Sequence, residues 1–455
     1  MLAFIKSIDN AKFERLMYRG VVVYAVLHML LLYTVQFQLF DYYIINVLGT
    51  FYMLYFLFMY VFGLASGKVI NPMGNTSKEN QRFPRGWFRS VDVVVIALAI
   101  WCVVSTVFAY DKEIALYGAE TRNEGLLEYF VYYLLFYGVS FLSDKSKKKI
   151  CKVLSVGGLI MLISGLVFCF TGLSGDLFGR PMACVPFLHQ NTYGAFAAMY
   201  VVLHMVYAFW GQNSKMKWYV WIAIFVGMLA VFGSKSSLAY IAFILAFAFA
   251  WGLSILFSRK QGKTFWKKML VGSVVMVLLF VIAIPIVDFA SKGLVSADVE
   301  FVESLAEEEG ANGALNGRID FWMDGIRALP KYWLTGVGID NYEKIVKDDP
   351  IPNLYAGRTA HNEYLQMACT VGVPALCLYL VILFIVFFKG LRTWKAEWDE
   401  NTILYHGLYL AFFAYIAQAF VSFSAVALVP IFWICMGMLI KNDKDTINEK
   451  LEGEL

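Results

Sequence analysis

Long apolar segments recur along the whole chain and constrain its fold more than any other feature. A helix needs about 20 mostly apolar residues to cross a bilayer, and we find about twelve such segments. They run approximately over residues 20–40, 42–66, 90–110, 125–142, 150–172, 189–210, 216–233, 236–257, 269–290, 363–388, 402–420 and 423–440. The pattern predicts an all-α polytopic membrane protein, with residues 1–455 forming a single integral membrane domain.

The composition agrees with a membrane protein. The chain is 60% hydrophobic and 16% charged, whereas soluble domains carry roughly 25% charged residues. The net charge of +4 comes mostly from loop residues and gives no reason to expect nucleic acid binding. Its seven cysteines form no CxxC pair and are predicted to be small core residues. The N-terminus lacks the pattern of a signal peptide, so we expect no cleavage.

Lysine and arginine predict the orientation, because cytoplasmic loops carry their excess. The N-terminus and every even-numbered connection are basic, as in the segments SDKSKKKICK and SRKQGKTFWKK. Both termini should therefore be cytoplasmic, and the odd-numbered connections should face outside. The largest of these is the extracytoplasmic loop 291–362 between spans nine and ten, which begins with an acidic stretch and is predicted to carry part of the active site.

Basic side chains and histidines nevertheless occur at the predicted outer face, where a charge without a partner is disfavoured. These residues are Arg122, Arg180, His189, Lys235, Arg318, Arg358 and His361. Their concentration at one face indicates a binding site for an anionic ligand.

Several of these residues also have ordinary structural interpretations. Arg122 lies among acidic residues, namely Asp111, Glu113, Glu120 and Glu124, and could form a loop ion pair. Lys235 could extend to phospholipid head groups. His28, His204 and His406 lie within spans and are interpreted as structural.

A helix is predicted over residues 317–329. Its apolar face would consist of Ile319, Trp322, Met323, Ile326 and Leu329. Arg327 shares the polar face with Asp320 and Asp324, so an intrahelical pair is its default. Arg318 lies off that acidic stripe and is the better ligand candidate.

Arginines at an outer face can hold the oxygens of a lipid diphosphate and stabilise the charge that leaves with it. His361, with Tyr364 and Leu365 beside it, could accept a proton from an alcohol. We find no HExxH motif, clustered His/Cys ligands, P-loop or DxD in an outer loop. We therefore expect a transferase that uses an activated lipid donor, with no cofactor and no metal ion.

Several motifs together resemble the O-antigen ligase and O-antigen polymerase family of bacterial membrane glycosyltransferases. They are RNEGLL before span four, LHQNTYGAF at span six, GSKSSLAY at span eight, and GRIDFW, YWLTGVGIDNY, RTAHNEYLQ and VGVPAL across the last large outer loop. The resemblance implies a fold related to the C-type glycosyltransferases. It also implies an undecaprenyl-diphosphate-linked glycan as donor and metal-independent transfer at the outer face of the bacterial cell (inner) membrane.

The resemblance also implies roles for individual residues. His361 matches the motif histidine that acts as base or orients the acceptor, and Arg318 matches the arginine before the GVG segment. Lys235 stands where family members commonly have arginine, and a lysine is a point charge and not a planar fork. His189 and Asn191 match a polar pair at the start of span six. Arg122, Lys235, Arg358 and Arg180 are candidate ligands of the donor diphosphate.

The sequence leaves more than one function open. A ligase would move the glycan to a separate acceptor, a polymerase would add it to another lipid-linked unit, and both would invert the anomeric centre. A polymerase could also work beside a chain-length regulator. The alternative is a transporter or flippase of lipid-linked glycans, although transporters usually place polar groups near mid-membrane and show an internal repeat.

Overall fold

In the computed structural model, the residues described are 10–41, 43–65, 90–120, 122–173, 183–211, 217–258, 262–293, 318–348, 359–395, 398 and 402–440. Within these ranges all regular structure is helical, which confirms the predicted all-α class there. The helices are α1 (Asn10–Gln36), α2 (Tyr43–Ala65), α3 (Ser90–Val107), α4 (Lys112–Tyr117), α5 (Leu126–Ser140), α6 (Asp144–Phe170), α7 (Gln190–Trp210), α8 (Lys217–Gly233), α9 (Ser237–Phe257), α10 (Lys263–Ala290), α11 (Arg318–Tyr332), α12 (Tyr342–Asp348), α13 (Glu363–Thr370), α14 (Val373–Trp394), α15 (Ile403–Ala419) and α16 (Val429–Leu439).

Each predicted apolar segment coincides with a helix or a pair of helices. Six helices are long and apolar enough to cross a membrane: α1, α6, α7, α9, α10 and α14. Six more contain a shorter apolar stretch of 10–17 residues: α2, α3, α5, α8, α15 and α16. The structure thus describes a helical membrane protein, and twelve as the number of spans stays a prediction.

Helix α10 shows why these helices suit a membrane. Met269, Met276 and Ala283 on one side are buried, whereas Leu270 and Val277 on the other side are 59% and 54% exposed. A helix that is apolar on both its packed and its open face is typical of a protein surrounded by lipid.

Helix α7 forms the centre of the bundle. It packs against α6, α8, α9, α10 and α15, and most of its residues are buried. Helices α15 and α16 are also buried along most of their length. The connection between α15 and α16 is buried or half-buried after Phe420 and meets the start of α7, where Phe423 contacts His189.

Two glycine-rich motifs, residues 333–338 and 369–373, lie side by side. Their contacts join the chain after α11 to the end of α13 and the start of α14. Val337 and Gly338 donate backbone hydrogen bonds of 3.0 and 2.9 Å to the carbonyls of Cys369 and Thr370. Val373 donates one of 2.7 Å to the carbonyl of Trp333. These contacts break the predicted span 363–388 into two helices, α13 and α14, so its expected continuity was wrong.

Helix α11 confirms the predicted helix at 317–329, but part of its apolar face is exposed. Met323 and Ile326 are 41% and 51% exposed. Helix α11 packs against α13, and its buried residues are Arg318, Asp324, Gly325 and Ala328. Arg327 pairs with Asp324 at 4.0 Å, as expected for residues three apart. The acidic stretch at the start of loop 291–362 lies outside the described residues.

Candidate active site

A cavity of about 420 Å³ lies where the starts of α5 and α7 meet the α15–α16 connection. Its lining includes two histidines, one arginine and one glutamate among apolar groups: Arg122, Glu124, Phe187, His189, Thr192, Thr359, His361, Phe423 and Ser424. Three of the predicted site residues therefore share one space. The volume falls within the range of about 300–1,000 Å³ typical of ligand sites.

Arg122 is held by two carboxylates. Its Nε donates to Asp340 at 2.6 Å, and its Nη2 donates to Glu124 at 2.8 Å and to the carbonyl of Ser424 at 3.3 Å. Burial lowers the pKa of Arg122, but Asp340 and Glu124 outweigh it and raise the pKa above its usual range. Of the four acidic neighbours named from the sequence, Glu124 is the one that forms a loop ion pair with Arg122, and this pair fixes the plane of the guanidinium at the cavity wall.

Asp340 joins the long loop to the start of α5. Its second carboxylate oxygen accepts from the backbone of Ala119 at 2.8 Å. The adjacent Asn341 exchanges two hydrogen bonds with the backbone of Asp111, at 3.2 and 3.0 Å. Burial raises the pKa of Asp340, against the lowering effect of Arg122. The motif GVGIDN therefore places a carboxylate beside the cavity arginine.

His361 lies between two aromatic rings just before α13. Its ring stacks on Phe321 with 5.2 Å between centroids and meets Phe423 edge-on at 5.3 Å. Its Nδ1 is buried without a hydrogen-bond partner in the part of the chain that the structure describes. Burial, together with Arg318, His189 and Arg122, lowers the pKa of His361 to about 4. The imidazole is therefore neutral at physiological pH.

Arg318 begins α11 and lies beside the same group of residues. It is 9% exposed, and its Nε donates to the carbonyl of Val421 at 3.1 Å. Burial lowers the pKa of Arg318. Val421 belongs to the connection that also carries Phe423 and Ser424, so this arginine is tied to the cavity wall through the backbone.

His189 and Asn191 lie at the start of α7, as the sequence predicted, but their side chains make different contacts. The Nδ1 of His189 accepts from the backbone of Asn191 at 3.1 Å and so caps the helix, while the ring lies 5.6 Å from Phe423. The side-chain oxygen of Asn191 accepts from the Ser236 hydroxyl at 2.9 Å, and the backbone carbonyl of Asn191 accepts from the Gln418 side chain at 3.2 Å. Asn191 therefore joins α7, α9 and α15 and does not line the cavity.

The remaining predicted cations are placed only in part. Lys235 is half-buried in the turn between α8 and α9, next to Ser236, so it lies at the same end of the bundle as Asn191. Arg358 and Arg180 lie outside the described residues.

The structural interpretation of the other histidines is supported. His28, His204 and His406 are buried. Each contacts a backbone carbonyl, those of Ala427, Tyr200 and Thr393 at 3.4, 2.7 and 2.9 Å. The cysteines are free, and all except Cys377 are buried.

Sequence reasoning missed the residues that join the parts of the site. Phe423 contacts Arg122, His189 and His361, yet it lies in an apolar segment that gives no local signal. Asp340 and Glu124 do belong to the motifs GVGIDNY and RNEGLL, and an acid next to a glycine-rich motif was a usable signal.

The helices and the cavity together define a multi-pass helical membrane protein with a polar site at one end of its bundle. Residues 223–380 match the family model described as O-antigen ligase, and this match supports an O-antigen ligase assignment for that part of the chain. The matched range includes Lys235, Arg318, Asp340 and His361, whereas Arg122, Glu124, His189 and Phe423 lie outside it. No match is found among the curated proteins.

Proposed function

We propose that the protein transfers a glycan from undecaprenyl diphosphate to an acceptor hydroxyl at the outer face of the bacterial cytoplasmic membrane. The observation that carries the proposal is the cavity itself, in which His361, His189 and Arg122 meet beside Arg318. Basic even-numbered connections support an outward-facing site with both termini in the cytoplasm. An activated lipid donor suits this face, because nucleotide sugars are absent there.

In this proposal the arginines hold the donor diphosphate. Arg122 and Arg318 both lie close enough to His361 for their charges to lower its pKa, and planar guanidinium groups match phosphate oxygens in bidentate fashion. Lys235, Arg358 and Arg180 complete the cationic set. Donors fixed before the reaction stabilise the negative charge that develops on the leaving diphosphate.

The acceptor hydroxyl attacks the anomeric carbon from the side opposite the diphosphate, which inverts that centre. The bond between the anomeric carbon and the phosphate oxygen breaks, and its electron pair leaves with the diphosphate. His361 orients or deprotonates the acceptor. No metal ion takes part. Both a ligase and a polymerase of cell-surface polysaccharide would use this chemistry.

The test is the size distribution of lipid-linked glycans in cells carrying the wild type, His361→Ala or Arg318→Ala. A polymerase requires that both variants retain single repeat units while the wild type makes long lipid-linked chains. A ligase requires that long lipid-linked chains accumulate in both variants and pass to another acceptor in the wild type. The matched control is Arg327→Ala, on the same helix as Arg318 but with a 58% exposed side chain. Identical profiles in all four strains would contradict the proposal and favour transport.

A further inference from the structure

Glu124 lies at the wall of the same cavity as His361 and is held there by three donors. Its Oε2 accepts from Arg122 at 2.8 Å and from the hydroxyl of Ser424 at 2.6 Å. Its Oε1 accepts from the hydroxyl of Tyr132 at 3.3 Å. The donors come from the loop before α5, from α5 and from the α15–α16 connection, so the carboxylate has a fixed orientation at the wall of the cavity.

His361, in contrast, is built to stay neutral. A histidine that acts as general base usually has a carboxylate or carbonyl on its second nitrogen, which holds the tautomer and stabilises the imidazolium. The Nδ1 of His361 is buried and has no such partner within the described ranges. Phe321 and Phe423 enclose the ring, and the charges of Arg318 and Arg122 oppose a positive imidazolium.

The two groups therefore differ in their acid and base properties. Burial raises the pKa of Glu124 to about 7, even though Arg122 and Ser424 lower it. His361 shifts the other way, to a pKa of about 4. A general base works best when its pKa is close to the operating pH. Opposite shifts in neighbouring groups are typical of sites in which the two have different roles.

We propose that Glu124 accepts the proton of the acceptor hydroxyl, and that His361 only orients that hydroxyl as a neutral hydrogen-bonding group. The proposal rests on the function proposed above. As the acceptor oxygen bonds to the anomeric carbon, its O–H bond breaks and the proton passes to the Glu124 carboxylate. The electron pair of the broken glycosyl bond leaves on the diphosphate. Glu124 returns its proton to water after the products depart.

Several charged and titratable groups surround Glu124 and influence its pKa or interact with its charge. They are Arg122, Glu128, Tyr129, Tyr132, Asp340, Glu363 and Tyr415, with His189 and His361 lining the same cavity. Because the base must be ionised, kcat/KM should rise with pH up to about 7 and stay level above it.

The experiment measures initial rates of glycan transfer from an undecaprenyl-diphosphate-linked donor by the full chain in lipid nanodiscs, from about pH 5 to about pH 9. Glu124→Gln should lower kcat/KM by about 10²- to 10⁴-fold and remove the rise with pH. His361→Asn should be slower but keep the rise. The control is Glu120→Gln, whose exposed side chain lies in the same connection and should have no effect.

Ser424→Ala provides a second test that does not depend on removing the carboxylate. The Ser424 hydroxyl stabilises the charged form of Glu124, so its loss should move the rise to higher pH without abolishing activity. A rise that stays at the wild-type pH in Ser424→Ala, that persists in Glu124→Gln, or that disappears only in His361→Asn would overturn the assignment of Glu124. A wild-type protein that transfers no glycan at any pH would instead overturn the proposed function itself.

Discussion

The Nε of Arg122 donates a 2.6 Å hydrogen bond to the carboxylate of Asp340, a residue 218 positions further along the chain. Both side chains are almost fully buried, at 11% and 1% exposure. The pair connects the start of α5 to the long loop that leads to His361. It therefore holds together the two halves of the candidate site.

Removing Asp340 should destabilise the protein by about 3 kcal/mol, the lower end of the range for breaking a buried ion pair, since Glu124 still compensates Arg122. The measurement is thermal unfolding of Asp340→Ala in detergent or nanodiscs. The comparison is Arg327→Ala, which removes an exposed 4.0 Å pair and should not change the melting temperature. Equal effects of the two variants would show that the Arg122–Asp340 pair does not hold the site together.

The stability of the protein should depend on the charge of His361 below neutral pH. Its pKa is lowered from 6.5 to about 4 by burial and by Arg318, His189 and Arg122. Between these values the unfolded state binds the proton and the folded state does not, so stability falls as pH decreases through this window.

A His361→Gln variant should lose that part of the pH dependence. Melting temperatures measured from about pH 7 to about pH 4 should fall more steeply for the wild type than for the variant. Parallel curves would mean that His361 is not kept neutral by its surroundings.

Gly372 should not tolerate a side chain. Its φ is +100°, and a Cβ there would lie 1.9 Å from the carbonyl oxygen of Leu334. Gly372→Ala should destabilise the protein by more than about 1 kcal/mol, because alanine is incompatible with this backbone and this contact. Gly252→Ala is the matched control, since a Cβ there meets nothing within 4 Å. If both variants unfold at the same temperature, the pairing of the two glycine-rich motifs is not as close as described.

Two buried glutamates should respond differently to the same substitution. Both carboxylate oxygens of Glu128 are buried without a hydrogen-bond partner within the described part of the chain. Those of Glu363 accept from Tyr379 at 2.7 Å and from Tyr415 at 2.9 Å. An unpartnered buried carboxyl group is costly, whereas a partnered one stabilises.

Glu128→Gln should therefore raise the free energy of unfolding by about 1 kcal/mol or leave it unchanged, and Glu363→Gln should lower it by about 1–3 kcal/mol, because an amide nitrogen cannot accept from tyrosine. Thermal unfolding of the two variants under one set of conditions provides the measurement. A large loss of stability in Glu128→Gln would contradict the expectation and indicate that its carboxylate has a partner.

Much of the helical architecture followed from the sequence by itself. Burial in lipid or in a helical core requires long apolar runs, and this requirement acts locally, so each predicted segment coincides with helical structure. The predictions failed where a tertiary contact overrode the local pattern. The backbone of Trp333 meets that of Val373 and splits one expected span. Packing against α13 buries Arg318 and Gly325, while Met323 and Ile326 remain exposed.

The candidate site was predictable only in part, for a different physical reason. Charge at an apolar boundary is costly wherever it occurs, so Arg122, His189, Arg318 and His361 could be identified one by one from their positions. Which residues meet depends on contacts between segments hundreds of residues apart, and these follow from helix packing and not from periodicity. Only the tertiary structure brought Asp340 to Arg122, placed Phe423 between Arg122, His189 and His361, and gave Glu124 and His361 opposite electrostatic environments.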